Sequence, residues 1–169
     1  MVGNITMLVQ KYSGLFLEGM GYTLLLALIT VTFGTVLGTL VALAKMGKFK
    51  VLSFLATAYI EIMRGTPLLL QLMFVYFGLP YLGFCLDRTP AAILAFLLNY
   101  TAYFTEILRG GIQSIDEGQK EAAKILGYSN AYTFLHILLP QALRNCIPSF
   151  INESLTLLKD TCLVSILGS

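Results

Sequence analysis

From Gly19 to Ala44 the chain carries no charged residue. As a helix that run reaches about 39 Å, more than the roughly 30 Å hydrocarbon core of a bilayer. Backbone polar groups in hydrocarbon must be satisfied inside their own segment, so a chain built around such a run is expected to be an all-α integral membrane protein. The composition agrees, since 57% of residues are hydrophobic and only 12% charged, which does not describe a soluble surface. Ala42-Leu43-Ala44 has the look of a small-x-small cleavage site, but the run exceeds a signal-peptide core and no basic segment precedes it, so it reads as a span. The net charge of +2 and the lack of a basic patch interleaved with aromatics argue against nucleic-acid binding.

The sparse charges mark out the rest. A first span over 19–44 contains Gly34 and Gly38 at GxxxG spacing, a seat for a second helix. Lys45, Lys48 and Lys50 form a basic loop, and a second apolar stretch covers 51–77. Arg64-Gly65-Thr66-Pro67 interrupts it, with Thr66 suited to cap a new helix and Pro67 to its first position, so this span is expected to break near residue 65. A third span over 90–108 carries Asn99, Tyr103 and Glu106 along one side, which suits interhelical hydrogen bonds or a pathway equally. Residues 109–144 are polar enough to leave the membrane, and 145–165, with Pro148 inside, reads as a broken fourth span.

Lysines and arginines concentrate in cytoplasmic loops. Lys45, Lys48, Lys50, Arg109, Lys120, Lys124 and Arg144 fall on one side if the spans alternate, against Lys11 and Arg88 on the other. The N-terminus is therefore expected outside and the 109–144 segment in the cytoplasm. Tyr12, Phe16 and Tyr22 read as an interfacial aromatic belt, and Cys85, Cys146 and Cys162, which form no CxxC pair, as small apolar packers. His136 is the only histidine, so neither a metal cluster nor a Ser-His relay has its parts, and it is expected at the membrane interface.

Within the polar segment, Ser114 and Glu117 have the capping-box spacing. Gln119 to Leu126 are strong helix formers, Gly127 suits a left-handed C-terminal cap, and Asn130 suits the cap of a second helix that Pro140 ends or kinks. Ala122 and Ala123 allow close approach by a partner and Ile125 supplies apolar area, as a knob does for a socket.

Glu121-Ala122-Ala123, Gly127 and Ile137-x-Leu139-Pro140, at their spacing, resemble the EAA loop of the membrane subunits of bacterial ABC importers. Arg64-Gly65-Thr66-Pro67-Leu68-Leu69, Glu106-Ile107-Leu108-Arg109-Gly110-Gly111-Ile112, Gly118-Gln119 and Lys159-Asp160-Thr161 further resemble permeases of the polar amino acid uptake family. The resemblance implies a type I importer transmembrane fold in the inner membrane and a permease pair, homodimer or heterodimer. It also implies two cytoplasmic ATP-binding subunits that hold ATP and Mg²⁺, and an extracytoplasmic amino acid binding protein. Coupling to the ATPase is implied for Gln119, Glu121, Ala122, Ala123, Ile125, Gly127, Ile137, Leu139 and Pro140. Such permeases have five spans where this sequence shows about four, so a final span is expected to be missing.

The sequence contains no GxxxxGK[ST] phosphate loop, so ATP chemistry is expected in a partner and no catalytic residue in this chain. Charges inside spans are costly and are functional candidates by default. Glu153 and Asp160 lie two helical turns apart on one face and suit an ammonium or a cationic side chain. Arg64, with Gly65 and Thr66 at the helix break, suits a carboxylate. The competing reading pairs Glu61 with Arg64 and Asp160 with Lys159 or Arg144 to fix helix ends. An intramembrane enzyme lacks its nucleophile and base; a secondary transporter using Glu106, Glu153 and Asp160 as proton sites leaves the Glu121 to Pro140 loop without a purpose.

Overall fold

The computed structural model describes residues 2–168, with side chains from residue 11 to residue 167. Helices and turns account for the order throughout, with no strand among the described residues: α1 (Val2–Met46), α2 (Lys50–Gly65), α3 (Leu68–Met73), α4 (Arg88–Gln113), α5 (Glu117–Ile125), α6 (Asn130–Tyr132) and α7 (Leu139–Asp160). Among the described residues two helical stretches are long and apolar enough to cross a membrane, Lys11–Met46 and Arg88–Gln113. A third is formed if Lys50–Gly65 and Leu68–Leu82, bent by 105° at the expected break, count as one. The helix covering the fourth expected span starts earlier, at Leu139, and is interspersed with Gln141, Arg144, Asn145, Asn152 and Glu153, so it is not among the helices apolar enough to cross a membrane by length and composition.

One face of α1 repeats every fourth residue: Leu26, Thr30, Gly34, Gly38 and Ala42 are all buried. On α4 the same period buries Ala92, Phe96, Tyr100, Phe104 and Leu108. These are two i±4 ridges, one small and one large, and they interdigitate. A Cβ at Gly34 would stand 2.5 Å from Tyr100 Cδ1 and one at Gly38 2.8 Å from Phe104 Cδ1, so the GxxxG spacing does seat a helix, and that helix is α4. Thr105 Oγ1 reaches the Gly38 carbonyl at 3.0 Å across this contact.

Helix α7 lies on another side of α4. Cys146 donates to the Ile107 carbonyl at 3.3 Å, Asn145 Nδ2 to Ser114 Oγ at 2.9 Å, and Phe150 meets Phe104 edge-on at 5.9 Å between centroids. Pro148 does not break this helix; the loss of helicity comes after Asp160, where Thr161–Gly168 tighten to a 3-10 coil. Arg88, at the start of α4, pins that coil by two bonds to the Val164 carbonyl, at 2.9 and 3.2 Å. Of the cysteines only Cys146 packs in the interior; Cys85 and Cys162 are exposed, contrary to the expectation for all three. Tyr12, Phe16 and Tyr22 are exposed along α1, and Tyr22 donates to Thr89 at 2.7 Å.

Candidate functional site

The break after α2 is made by side chains other than those expected. Thr66 does not cap α3: its hydroxyl donates back to the Ile62 carbonyl at 2.8 Å, and the N-cap position is held by Pro67, with Leu68 as first helical residue. Gln71 secures the bend. Its Nε2 donates to the Met63 carbonyl at 2.7 Å and to Thr66 Oγ1 at 2.7 Å, while its Oε1 accepts from Asn99 Nδ2 at 3.1 Å. One amide thus closes the turn and ties it to α4. Sequence reasoning missed Gln71, although the one amide side chain between Leu68 and Phe77 was the available signal.

The bend opens a cleft of about 330 Å³, and Arg64, Gly65, Thr66, Glu153 and Asp160 all line it. Residues chosen from two separate spans therefore meet. Asn99 and Tyr103 of α4 form part of the wall, and so does Thr156, which sequence reasoning also missed. Its place between Glu153 and Asp160, three residues from one and four from the other, puts it on their face. The wall is bipolar, with the Arg64 guanidinium on one helix and two carboxyl groups on another.

Arg64 lies 5.3 Å from the centroid of the Tyr103 ring, within cation–π reach. Neither Glu61 with Arg64 nor Asp160 with Lys159 or Arg144 forms a salt bridge among the described residues, although the charge of Lys159 does act on Asp160. The observed pairs all converge on Glu106: Lys45 Nζ at 2.6 Å, Arg109 Nη2 at 2.7 Å and Arg64 Nη1 at 3.7 Å. Arg109 also donates to Gln113 Oε1. Glu106, read from sequence as a packing or pathway residue, is thus the shared anion of three helices.

The polar segment folds as helix, glycine corner and helix, with its caps displaced from the expected residues. Asp116, not Ser114, caps α5, accepting from the Gly118 N–H at 2.8 Å, while Ser114 ends α4. Gly127 adopts φ +80°, and the Tyr128 and Gly127 N–H groups bond to the Ala123 and Lys124 carbonyls at 3.0 and 3.1 Å, the Schellman pattern. Ser129, not Asn130, caps the next turn. Pro140 does not end the helix that follows; Thr133–Leu138 widen to a π-turn that runs directly into α7. A wider turn fits a proline here because the missing N–H breaks the i→i−4 ladder.

Of the residues expected to couple, Gln119, Glu121, Ala122 and Ile125 are exposed, and Ile125 and Leu126 remain 85% and 73% accessible. Ala123 differs: it is buried within this chain and is no contact surface for a partner. Ile137 is half-buried against the Ile115, Leu138 and Ala142 cluster and so helps hold the loop on the bundle, while Leu139, half-buried, and Pro140, exposed, begin α7. A groove of about 300 Å³ runs beside α5, lined in part by Glu121, Lys124, Tyr128 and Phe134. His136 stacks on Tyr132 at 4.3 Å between centroids, and Tyr132 on Tyr128 at 4.9 Å.

Residues 34–169 match the family described as the binding-protein-dependent transport system inner membrane component. The chain belongs to this family. It is 44% identical over 153 residues to the arginine transport system permease protein ArtQ of Bacillus subtilis, covering 90% of this chain and 70% of that one. It is 41% identical over 164 residues to a Rickettsia conorii protein named for a glutamine transport system permease role, GlnP, covering 95% and 75% of the two chains. A crystal structure of an amino acid ABC transporter with histidines superposes with a TM-score of 0.91 at 40% identity, over 98% of this chain and 76% of that one. The protein is the membrane-spanning permease component of an amino acid ABC importer, a transport subunit and not an enzyme.

Proposed function

We propose that this permease carries basic amino acids and is driven by cytoplasmic ATPase subunits through the α5 loop. The observation that supports the cargo class most is the convergence of Arg64, Glu153 and Asp160 on one cleft. A basic amino acid presents a carboxylate and two cationic groups. Arg64 offers charge to the first and the two carboxyl groups offer charge to the others. Thr66 contributes shape, since its proton is engaged by Ile62. The name of the similar ArtQ protein points the same way.

For coupling, α5 offers a rigid, capped element with apolar area left uncovered. ATP and Mg²⁺ bind in the partner ATPase, whose closure moves the Glu121 to Gly127 element and rocks the spans from inward-facing to outward-facing; hydrolysis resets them. The permease works as a pair, homodimeric or heterodimeric, and receives cargo from an extracytoplasmic binding protein. Its N-terminus lies outside and the 109–144 segment on the cytoplasmic side, following the bias of lysine and arginine.

The test is uptake by the assembled transporter in proteoliposomes. ATP-dependent arginine uptake that vanadate abolishes, with an ATPase subunit co-purifying, is the expected result. Uptake that a protonophore collapses while internal ATP persists overturns the ATP-driven reading.

A further inference from the structure

Glu106 is 13% exposed and holds three cations unequally. Lys45 and Arg109 bind it at 2.6 and 2.7 Å, and Arg109 Nε adds a bond at 3.0 Å. These take up both carboxylate oxygens. Arg64 stands off at 3.7 Å, is 43% exposed, rests against the Tyr103 ring and faces the cleft. Glu106 is one negative charge set against three positive ones, and the cation it holds most loosely is the one at the cleft wall, where the charge of Glu153 also acts on it.

We propose that Glu106 is a positioning residue for Arg64: it holds the guanidinium at the cleft in a loose ion pair and competes with the cargo carboxylate for it. Lys45 and Arg109 set the strength of that competition, because each bond they make to Glu106 weakens its hold on Arg64. The inference rests on the reading of the cleft as the amino acid site. It makes carboxylate binding the event that separates Arg64 from Glu106. Arg109 lies one turn from Gln113, the last residue of α4, and Asp116 caps α5 three residues later, so a short stretch of backbone links the cluster to α5.

The assay is equilibrium binding to the permease assembled with its ATPase subunits in nanodiscs. The probes are L-arginine and its decarboxylated analogue agmatine, and the readout is the ratio of their affinities. In Glu106→Gln the ratio rises in favour of arginine, roughly fivefold, the lower end of coupling between linked sites. In Arg109→Gln it falls, because Glu106 then closes on Arg64. In an Arg64→Gln background the Glu106 substitution adds nothing. A general loss of packing lowers both affinities together and does not give opposite signs for the two substitutions. If Glu106→Gln does not assemble, the fall in Arg109→Gln decides alone. Unchanged ratios, or shifts of the same sign, overturn the role of Glu106 while the wild-type preference for arginine keeps the cleft reading standing. A wild-type transporter that binds agmatine as tightly as arginine removes the cleft reading and this proposal with it.

Discussion

Gly110 and Gly111 are neighbours on α4, yet they are predicted to respond oppositely to the same substitution. A Cβ at Gly110 meets nothing within 4 Å, whereas one at Gly111 stands 2.1 Å from Cys146 Sγ and 2.9 Å from the Ala142 carbonyl oxygen. Cys146 can rotate at the expense of its bond to the Ile107 carbonyl. The Ala142 oxygen is helix backbone and cannot, so α4 and α7 must separate. Replacing a helical glycine by alanine favours the helix by about 0.8–1.0 kcal/mol at either site. Overpacking a tight contact costs about 1–3 kcal/mol. The helix term cancels between the two variants, leaving Gly111→Ala less stable than Gly110→Ala by about 1–3 kcal/mol, or several degrees in the thermal midpoint of a chain this size. The separation also moves Glu153 and Asp160 away from the α4 wall of the cleft, so arginine affinity falls in Gly111→Ala alone. The assay is thermal unfolding in detergent paired with arginine binding to the assembled transporter. Equal midpoints for the two variants refute the α4–α7 contact as described.

Two further outcomes follow from the loop. Gly127→Val places a β-branched residue at φ +80°, a cost of about 1–2 kcal/mol that distorts the corner without reaching the bundle core. ATP-driven uptake is expected to be lost while the thermal midpoint of the permease stays near wild type, and intact uptake contradicts the coupling role. Ser129→Cys, made with Cys85 and Cys162 replaced by serine, is expected to react with an impermeant thiol reagent in inside-out vesicles and not in intact cells. Labelling of intact cells contradicts the orientation.

What was legible in the sequence was whatever rests on periodicity or on a residue with one physical use. The uncharged run gave α1, Gly34 and Gly38 gave a seat for another helix that the fold fills with α4, and Gly127 occupies the left-handed corner for which glycine suits. Arg64 and Glu153 were found because charge within a span has few uses. The caps were misplaced by one or two residues, Asp116 for Ser114, Ser129 for Asn130 and Pro67 for Thr66; two of the three expected side chains are engaged elsewhere, and Pro67 holds its position with no side-chain bond at all. Ser114 was claimed by Asn145 and Thr66 by Gln71. The pairing of charges was the least legible. Local spacing favoured Glu61 with Arg64, but the acceptor is Glu106, on another helix, and no pattern within one segment reports that. Ala123 shows the same limit: its sequence word matches a docking surface, while the fold turns it inward.

The central claim is that the cleft between the helix break and α7 receives a basic amino acid, with Glu153 as a counter-charge to its cationic side chain. Competition binding of arginine and glutamine to the assembled transporter, wild type against Glu153→Gln, tests it most directly. Loss of arginine binding with glutamine affinity retained is the predicted result; equal affinities of the two proteins for both amino acids would contradict it.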